Sequence, residues 1–339
     1  MRVALGLGGT IPVDDVMALA RRAEEEGFEA LWLHETMWQR DGVIPLAAAA
    51  TATRRLRLGA GCLSPYLRHP ALLAQTAATL QELSDGRLIL AVGTGFPRRL
   101  DMMGVAHPSP AAAIREGIEL IRRLWSGETV AYRGRVFSVE GVRLEWGGPM
   151  PPAPPVYVAG WRPRMLEVAA THADGYLARP MEPPVMVRRR LDAVRRAASR
   201  HGRSLDGFET AGYVLCAIGD DEEGCFEALR HDPFVVYQVA VLDDDVAEAI
   251  GIEPDRLRAI REAYWAGDLG RAAGLISRAI LEQLAVFGPP TAAAEQLARW
   301  HEAGMTVPVL QPVRLVPEWV EGIWRTGRLV SGVPAGRTR

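Results

Sequence analysis

The sequence predicts an α/β fold, a single (β/α)8 barrel with insertions, from three observations. The chain has 339 residues, 48% of them hydrophobic and 24% charged, so it can bury a large core, and barrels of this length commonly form one domain. Short apolar segments typical of buried strands alternate with segments whose apolar residues recur at helical spacing. Eight strands can be counted in this alternation, which is the number that closes a TIM barrel.

The clearest strand–helix–strand unit covers residues 56–95. Residues 56–63 are apolar and punctuated by glycine, leucines and alanines recur at helical spacing from Leu72 to Leu80, and Ser84-Asp85-Gly86 provides a turn before the next strand. The loop at 64–69 and the sequence Gly93-Thr94-Gly95 then follow two neighbouring parallel strands. Because parallel α/β folds bind ligands at the carboxyl ends of their strands, we expect both loops to face a ligand.

The elements before this unit are predicted from start and stop signals. An apolar strand at 3–8 leads to a helix that starts at Asp14-Asp15 and stops at Gly27. A second strand follows at 29–33. An alanine-rich segment at 45–53 can pack closely as a helix.

After the unit, a loop rich in proline and histidine precedes a helix that stops at Gly127. The rest of the chain continues the alternation up to a closing helix on the outside of the barrel. The predicted strands in this part are 156–159, 174–178, 211–218 and 306–311, and the predicted helices include 112–125, 291–303 and 318–324.

Two segments depart from the alternation. Residues 127–155 contain a hairpin pattern around Gly134 and a Pro/Gly linker, which predicts an excursion over the barrel mouth. Residues 219–285 predict a helical insertion, with helix signals near Pro254 and Gly270. Such insertions commonly cap the mouth and shape a substrate pocket.

Charge and composition exclude several classes of protein. The formal net charge is −2 with no basic stripe, so we expect no nucleic-acid partner. No apolar run approaches the ~18 residues that span a bilayer, and no signal-peptide pattern precedes the first strand. We therefore expect a cytoplasmic protein without a membrane partner. Three cysteines without CxxC or Cys/His spacing argue against disulfides and structural zinc, and we expect no metal.

All 39 basic residues are arginine, because the sequence contains no lysine. Schiff-base chemistry and a Walker-type phosphate lysine both require that amine. An anionic cofactor would therefore have to be held by arginine, by backbone N–H groups and by helix N-termini.

The unit at 56–95 resembles a signature of the luciferase-like flavin and deazaflavin oxidoreductases, which are single TIM barrels. The resemblance lies in LRLGAGCLSPYLRHPALLAQ and LSDGRLILAVGTG, and it continues in EEEGFEALWLHE, in PPVYVAGWRPRMLEVAATHADGYL and in LAVFGPPTAAAEQLARWHEAG. It implies an oxidoreductase that uses the deazaflavin F420, with an FMN-dependent monooxygenase as the alternative. It also implies a small-molecule substrate and a homodimer.

The resemblance assigns the cofactor to three loops. A bulge with a cis peptide bond between Gly61 and Cys62 would support its ring. The segment from Gly160 to Arg164 opens a helix, and its free N–H groups make an anion site, although an ordinary turn has the same pattern. By resemblance the cofactor phosphate docks there. The implied cofactor-binding residues are Gly61, Cys62, Leu63, Arg68, Gly93, Thr94, Gly95, Ala159, Gly160, Trp161, Arg162, Pro163 and Arg164.

His34 and Glu35 are the candidate catalytic residues, because they follow the second strand at its carboxyl end, where a barrel keeps its chemistry. A solvated or structural His–Glu pair is the alternative. Many deazaflavin relatives carry Asp-His at this place, where this chain has Glu35-Thr36. The family's catalytic histidine is therefore either absent here or replaced by His34. The implied substrate pocket consists of Gly8, Thr36, Trp38 and Phe96.

The leading hypothesis is hydride transfer between the deazaflavin C5 and a small organic substrate. A flavin-binding barrel without turnover is a second hypothesis, since the usual Asp-His pair is missing. A metal-dependent hydrolase ranks last, because the seven histidines are scattered.

Overall fold

The computed structural model describes residues 1–148 and 150–332 and contains a closed barrel of eight parallel strands. The barrel closes where β11 pairs with β1 and where β8 pairs with β9. The eight-stranded barrel predicted from the sequence is confirmed. The strands are β1 (Ala4–Leu7), β2 (Ala30–Leu33), β3 (Arg57–Leu63), β4 (Leu88–Gly93), β5 (Val130–Arg133), β6 (Ser138–Val142), β7 (Val156–Ala159), β8 (Gly175–Ala178), β9 (Glu209–Ile218), β10 (Val286–Gly288) and β11 (Val307–Pro312), of which β5, β6 and β10 lie outside the barrel cycle.

Helices follow the barrel strands and cover the outside. Many begin with proline in their first turn, which lacks the N–H that this position leaves unpaired. The helices are α1 (Val13–Glu25), α2 (Ile44–Ala52), α3 (Pro70–Leu83), α4 (Pro97–Met102), α5 (Pro110–Trp125), α6 (Pro163–His172), α7 (Pro184–Arg200), α8 (Glu222–Arg230), α9 (Pro233–Ala240), α10 (Asp244–Ala249), α11 (Pro254–Trp265), α12 (Leu269–Gly274), α13 (Arg278–Leu284), α14 (Pro290–Glu302) and α15 (Pro317–Ser331). Within the described residues, no helix is long and apolar enough to cross a membrane.

Two elements differ from the sequence prediction. The Pro/His-rich segment after Gly95 contains the short helix α4, because Pro97 supplies a helix start where a loop was predicted. The three-residue strand β10 was not predicted either, since so short a run has no readable alternation. It pairs with the last residues of β9, from Cys216 to Ile218.

The barrel interior is filled by a few large side chains that small residues accommodate. Trp32 is fully buried, and a side chain at Gly59 or Gly61 would overlap its ring. Tyr157 and Tyr213 share this interior cluster. The large rings close the barrel below its mouth, so ligands have access only above them.

A second core lies between barrel and outer helices, and a third lies inside the helices α8–α13. β9 contributes to all three: Tyr213 faces the barrel interior, Val214 the outer layer and Leu215 the α8–α13 core. Its first residues pair with β8, the middle ones with β11 and the last with β10.

The hairpin β5–β6 is held to α5 by Glu116. Its buried carboxylate accepts hydrogen bonds from the N–H groups of Arg135, Val136 and Phe137 at 2.9–3.1 Å. Burial by itself would raise the pKa of Glu116, but these three bonds lower it overall. The carboxylate thus replaces the hydrogen bonds that a tight turn leaves unmade.

Replacing Glu116 by Ala is expected to lower the free energy of unfolding by about 2 kcal/mol, because three N–H groups, of which that of Phe137 is buried, lose their acceptor. Urea unfolding at neutral pH measures this, with the exposed Glu140→Ala on β6 as the control. Because the folded pKa is lowered, the contribution is present above the ordinary value of 4.5 and is lost as the pH falls through the lowered pKa. Equal unfolding curves for the two variants would contradict this role.

Candidate active site

His34 lies at the centre of the barrel mouth, directly after β2. Its Nδ1 is 2.8 Å from the Thr36 hydroxyl, and its Nε2 is 3.5 Å from the side-chain nitrogen of Gln311 at the end of β11. The ring meets Tyr213 edge-on at 5.9 Å. A Cβ at Gly8, after β1, would be 3.2 Å from Nε2. Residues of β9 and β11, together with the glycine that follows β1, therefore surround this imidazole.

His34 is neutral at neutral pH. Burial, with a smaller contribution from the positive charge of Arg99, lowers its pKa to about 4. A neutral imidazole has one nitrogen that donates and one that accepts. Because Thr36 occupies Nδ1, the other nitrogen is the one available to a ligand above the mouth.

Glu35 is bound to Arg68 and does not face the mouth as a free acid. Arg68 Nη2 lies 2.7 Å from Glu35 and 2.5 Å from Asp41, so its charge is balanced by two carboxylates. Asp41 also accepts bonds from the N–H groups of Val43 and Ile44 at the start of α2. This ion cluster ties the loop after β2 to the loop after β3.

The floor of the mouth is made of small residues from three adjacent strands. The peptide bond between Gly61 and Cys62 is cis, as the resemblance implied, and the β3–β4 register shifts there. A Cβ at Gly93 would lie 2.6 Å from Cys62 Sγ and 3.1 Å from Ala159 Cβ. Only glycine therefore fits at position 93 without moving these neighbours.

The neighbouring groups of the floor are fixed by hydrogen bonds. The Tyr213 hydroxyl donates to the Gly61 carbonyl at 2.7 Å, and Ser64 donates to the Thr94 carbonyl at 3.0 Å. Burial raises the pKa of the Cys62 thiol to about 11, so it stays protonated and is not a nucleophile. Leu63 points its side chain into the outer core, so only its main chain could reach a ligand.

Two of the predicted residues after β4 border the loop that carries His34. A Cβ at Gly95 would meet the Met37 methyl at 3.1 Å. Phe96 packs against Tyr237 of α9, with ring centroids 6.2 Å apart. Trp38 is 62% exposed and lies 5.3 Å from the Arg99 guanidinium. The predicted substrate-pocket residues therefore border the opening from two sides.

The turn before α6 offers an anion site, but one of its two arginines is already paired. Arg162 lies 3.0 Å from Asp243, which also accepts a bond from the Trp161 indole at 2.6 Å. The Met165 and Leu166 N–H groups bond to the Arg162 carbonyl. The helix start at Pro163 leaves the N–H of Arg164 without an intrahelical partner. Above Gly160, a Cβ would lie 2.5 Å from Met165 Cγ.

Sequence reasoning missed several groups at the mouth. Arg179 and Gln311 sit at the carboxyl ends of β8 and β11, a position that could have singled them out. Tyr213 lies inside the barrel, and Arg99 and Tyr237 lie on a short helix and in the insertion, where no sequence pattern marked them.

The opposite, amino-terminal end of the barrel carries an open cavity of about 470 Å³, lined by residues that include Arg2, Glu29 and Thr306. None of the candidate site residues lines it. In TIM barrels this end serves stability, whereas the chemistry lies at the other end.

Comparisons with known proteins show what the chain resembles. A 5,10-methylenetetrahydromethanopterin reductase of Archaeoglobus fulgidus is 30% identical over 84% of this chain and 85% of its own length. An F420-dependent glucose-6-phosphate dehydrogenase of Nakamurella multipartita is 31% identical over 62% of this chain and 66% of its own. The solved coenzyme F420-dependent tetrahydromethanopterin reductase of Methanopyrus kandleri superposes with a TM-score of 0.87 at 27% identity, over 98% of this chain and 99% of that one.

The family model for luciferase-like monooxygenases matches residues 1–307. This span contains seven of the eight barrel strands in full, the first residue of β11, and every candidate site residue discussed above except Gln311. The chain therefore belongs to the luciferase-like monooxygenase family.

Proposed function

We propose that this protein is an F420-dependent oxidoreductase that transfers a hydride between the deazaflavin C5 and a small organic substrate. The observation that carries the proposal is the flat floor of Cys62, Gly93 and Ala159 beside the neutral His34. Relatives of about 30% identity named for F420-dependent reactions support the choice of cofactor.

The residues present fit a planar, anionic cofactor. Glycine at 93 lets Cys62 and Ala159 lie close together, since a Cβ there would overlap Cys62 Sγ, and we place the planar ring against these small residues. An anionic tail would meet the N–H of Arg164 and its exposed side chain at the start of α6. Without lysine in the chain, arginine and backbone are the groups that can hold it.

When bound, the deazaflavin would supply the hydride chemistry at its ring C5. In this proposal Gly61, Cys62, Gly93, Thr94 and Ala159 hold the ring. The turn from Gly160 to Arg164 holds the phosphate. Arg162 contributes less than Arg164, because Asp243 already neutralises it.

His34 is the proposed proton donor or acceptor of the reaction. It is neutral, it is oriented by Thr36, and its second nitrogen lies at the mouth. Glu35 and Arg68 are proposed to position the loop that carries His34, because their charges are committed to each other and to Asp41. The missing Asp-His pair is thus replaced by His34, with Glu35 in a supporting role.

Binding measurements test the cofactor assignment. Titration of the cofactor-free protein is expected to give at least tenfold tighter binding for F420 than for FMN, a gap of ~1.4 kcal/mol. Tighter FMN binding with oxygen-dependent substrate oxidation would instead assign an FMN monooxygenase. F420 binding without any absorbance change on a panel of enones, imines and alcohols would assign a cofactor-binding barrel without turnover.

The proposal extends to a homodimer in the cytoplasm, built from one barrel domain with an excursion at 127–155 and a helical insertion at 219–285. Light scattering coupled to size-exclusion chromatography measures the oligomeric state.

A further inference from the structure

A buried arginine at the barrel mouth lacks a counter-charge. Arg179 follows β8 and is 7% exposed, yet its Nη1 has no hydrogen-bond partner among the described residues. Its Nη2 makes only long contacts to Gln238, at 3.2 Å to the side-chain oxygen and 3.5 Å to the carbonyl. Its guanidinium also stacks on the Trp161 ring at 5.2 Å, but an aromatic face does not replace a counter-charge. Burying a cation without a paired anion is strongly unfavourable, so Arg179 is a candidate for binding an anionic ligand.

The nearest acid does not balance this charge. No carboxylate oxygen in residues 1–148 and 150–332 lies within 4.0 Å of the Arg179 guanidinium. Glu182 is buried close behind, but its pKa is raised by burial to about 7, so it is partly protonated at neutral pH. Its nearest cation is Arg190, at 3.7 Å.

Two more arginines approach the same place. Burial raises the pKa of Tyr237, and the positive charges of three nearby arginines partly offset this rise. These arginines are Arg99, Arg179 and Arg98. In the described part of the chain, neither Arg98 nor Arg99 has a carboxylate within 4.0 Å. Instead, Arg99 stacks on Phe96 and Trp38, and Arg98 stacks on Trp265. The opening between β4, β8 and α9 is therefore lined by three cations.

We propose that Arg179 binds an oxyanion of the substrate, a carboxylate or a phosphate, and that Arg98 and Arg99 attract it at the entrance. The guanidinium fork matches either group through paired N–H donors. The Arg179 guanidinium lies 5.2 Å from the ring of Trp161, so this site adjoins the turn before α6. The titrations with and without cofactor therefore have to distinguish an oxyanion of the substrate from the cofactor phosphate. The inference rests on the proposed function and narrows its substrate to acidic small molecules.

The test is calorimetric titration of the full-length protein with inorganic phosphate, at low chloride, with and without saturating F420. The wild type is expected to bind phosphate in both states, and Arg179→Met to bind it at least tenfold more weakly. Arg195→Met is the matched control, because this exposed arginine pairs with Asp192 on the outer helix α7. Equal phosphate affinity in wild type and Arg179→Met would overturn the proposal.

The cofactor is the other source of an oxyanion. If F420 excludes phosphate and Arg179→Met weakens F420 itself, then Arg179 holds the cofactor phosphate and the substrate assignment is overturned. If F420 does not bind at all, the proposed function fails, while the titration without cofactor still decides whether Arg179 is an anion site.

The thermal midpoint of unfolding checks that the variants are folded. Arg179→Met is expected to melt at the wild-type temperature or above it, because an unpaired buried charge is removed. Arg179→Lys keeps the positive charge but loses the paired N–H donors of the guanidinium. Its phosphate affinity is therefore expected to lie between those of the wild type and Arg179→Met. If Arg179→Lys binds phosphate no more tightly than Arg179→Met, the positive charge does not contribute to recognition and the proposal is contradicted.

Discussion

Replacing His34 by Gln is expected to lower kcat at least a hundredfold while F420 affinity changes less than threefold. A positioned acid or base contributes ~10² to 10⁴ to a rate, and glutamine keeps polar atoms near those of the imidazole without its basicity. Thr36→Val is expected to give an intermediate loss, since it removes the partner that orients the ring. Steady-state kinetics with the substrate found by panel screening measures both.

His231→Gln is the matched control, because His231 is exposed and contacts Glu227 away from the mouth. If the kcat of His34→Gln lies within threefold of the wild-type value, His34 is not the acid or base of the reaction, and Glu35 becomes the candidate.

The pKa of His34 gives a second readout that does not need turnover. Its folded pKa is lowered from 6.5 to about 4, so the unfolded chain binds an extra proton between these values. Stability from this site is complete above about pH 6.5 and is lost as the pH falls toward 4. The fall in thermal midpoint from pH 7 to pH 5 is therefore expected to be smaller in His34→Gln than in wild type.

Replacing Gly93 by Val is expected to weaken F420 binding at least a hundredfold. A side chain at this position would overlap Cys62 Sγ and press on Ala159, so these two residues of the proposed ring site have to shift. Overpacking also costs ~1 to 3 kcal/mol of stability, which the thermal midpoint reports separately. Fluorescence titration of F420 measures the affinity.

Gly274→Ala is the control, because a Cβ there meets open space. Gly93→Ala combined with Cys62→Ala is expected to bind F420 more tightly than Gly93→Ala alone, since the sulfur that the new methyl meets is gone. Wild-type affinity in Gly93→Val would place the cofactor ring elsewhere.

The fold was predictable because its signals are local. Apolar strands and helix starts at proline recur along the chain, and the strand at 156–159 was predicted with the bounds that the structure has. The elements that were missed, α4 and β10, are short. They depend on neighbours distant in sequence, as the pairing of Val286 with Cys216 illustrates.

The position of the site was predictable from the sequence, but the pairing of its charged side chains was not. Position at strand ends was enough to select His34 and Gly93. The pairing of Glu35 with Arg68, and the capture of Arg162 by Asp243, join residues 33 and 81 positions apart. No spacing rule in one sequence reveals such partners. The resemblance therefore assigned Arg68 and Arg162 to the cofactor without showing that each is already paired with an acid.

β9 also determines how the site can open. One continuous strand carries Tyr213 in the barrel and Leu215 in the helical insertion, and its last residues are bonded to β10. This pairing holds the residues that flank the insertion in one ladder, so the insertion cannot leave the barrel at its base unless that ladder breaks. A movement that admits substrate while the ladder is intact has to lie within the insertion itself, among the helices between β9 and β10.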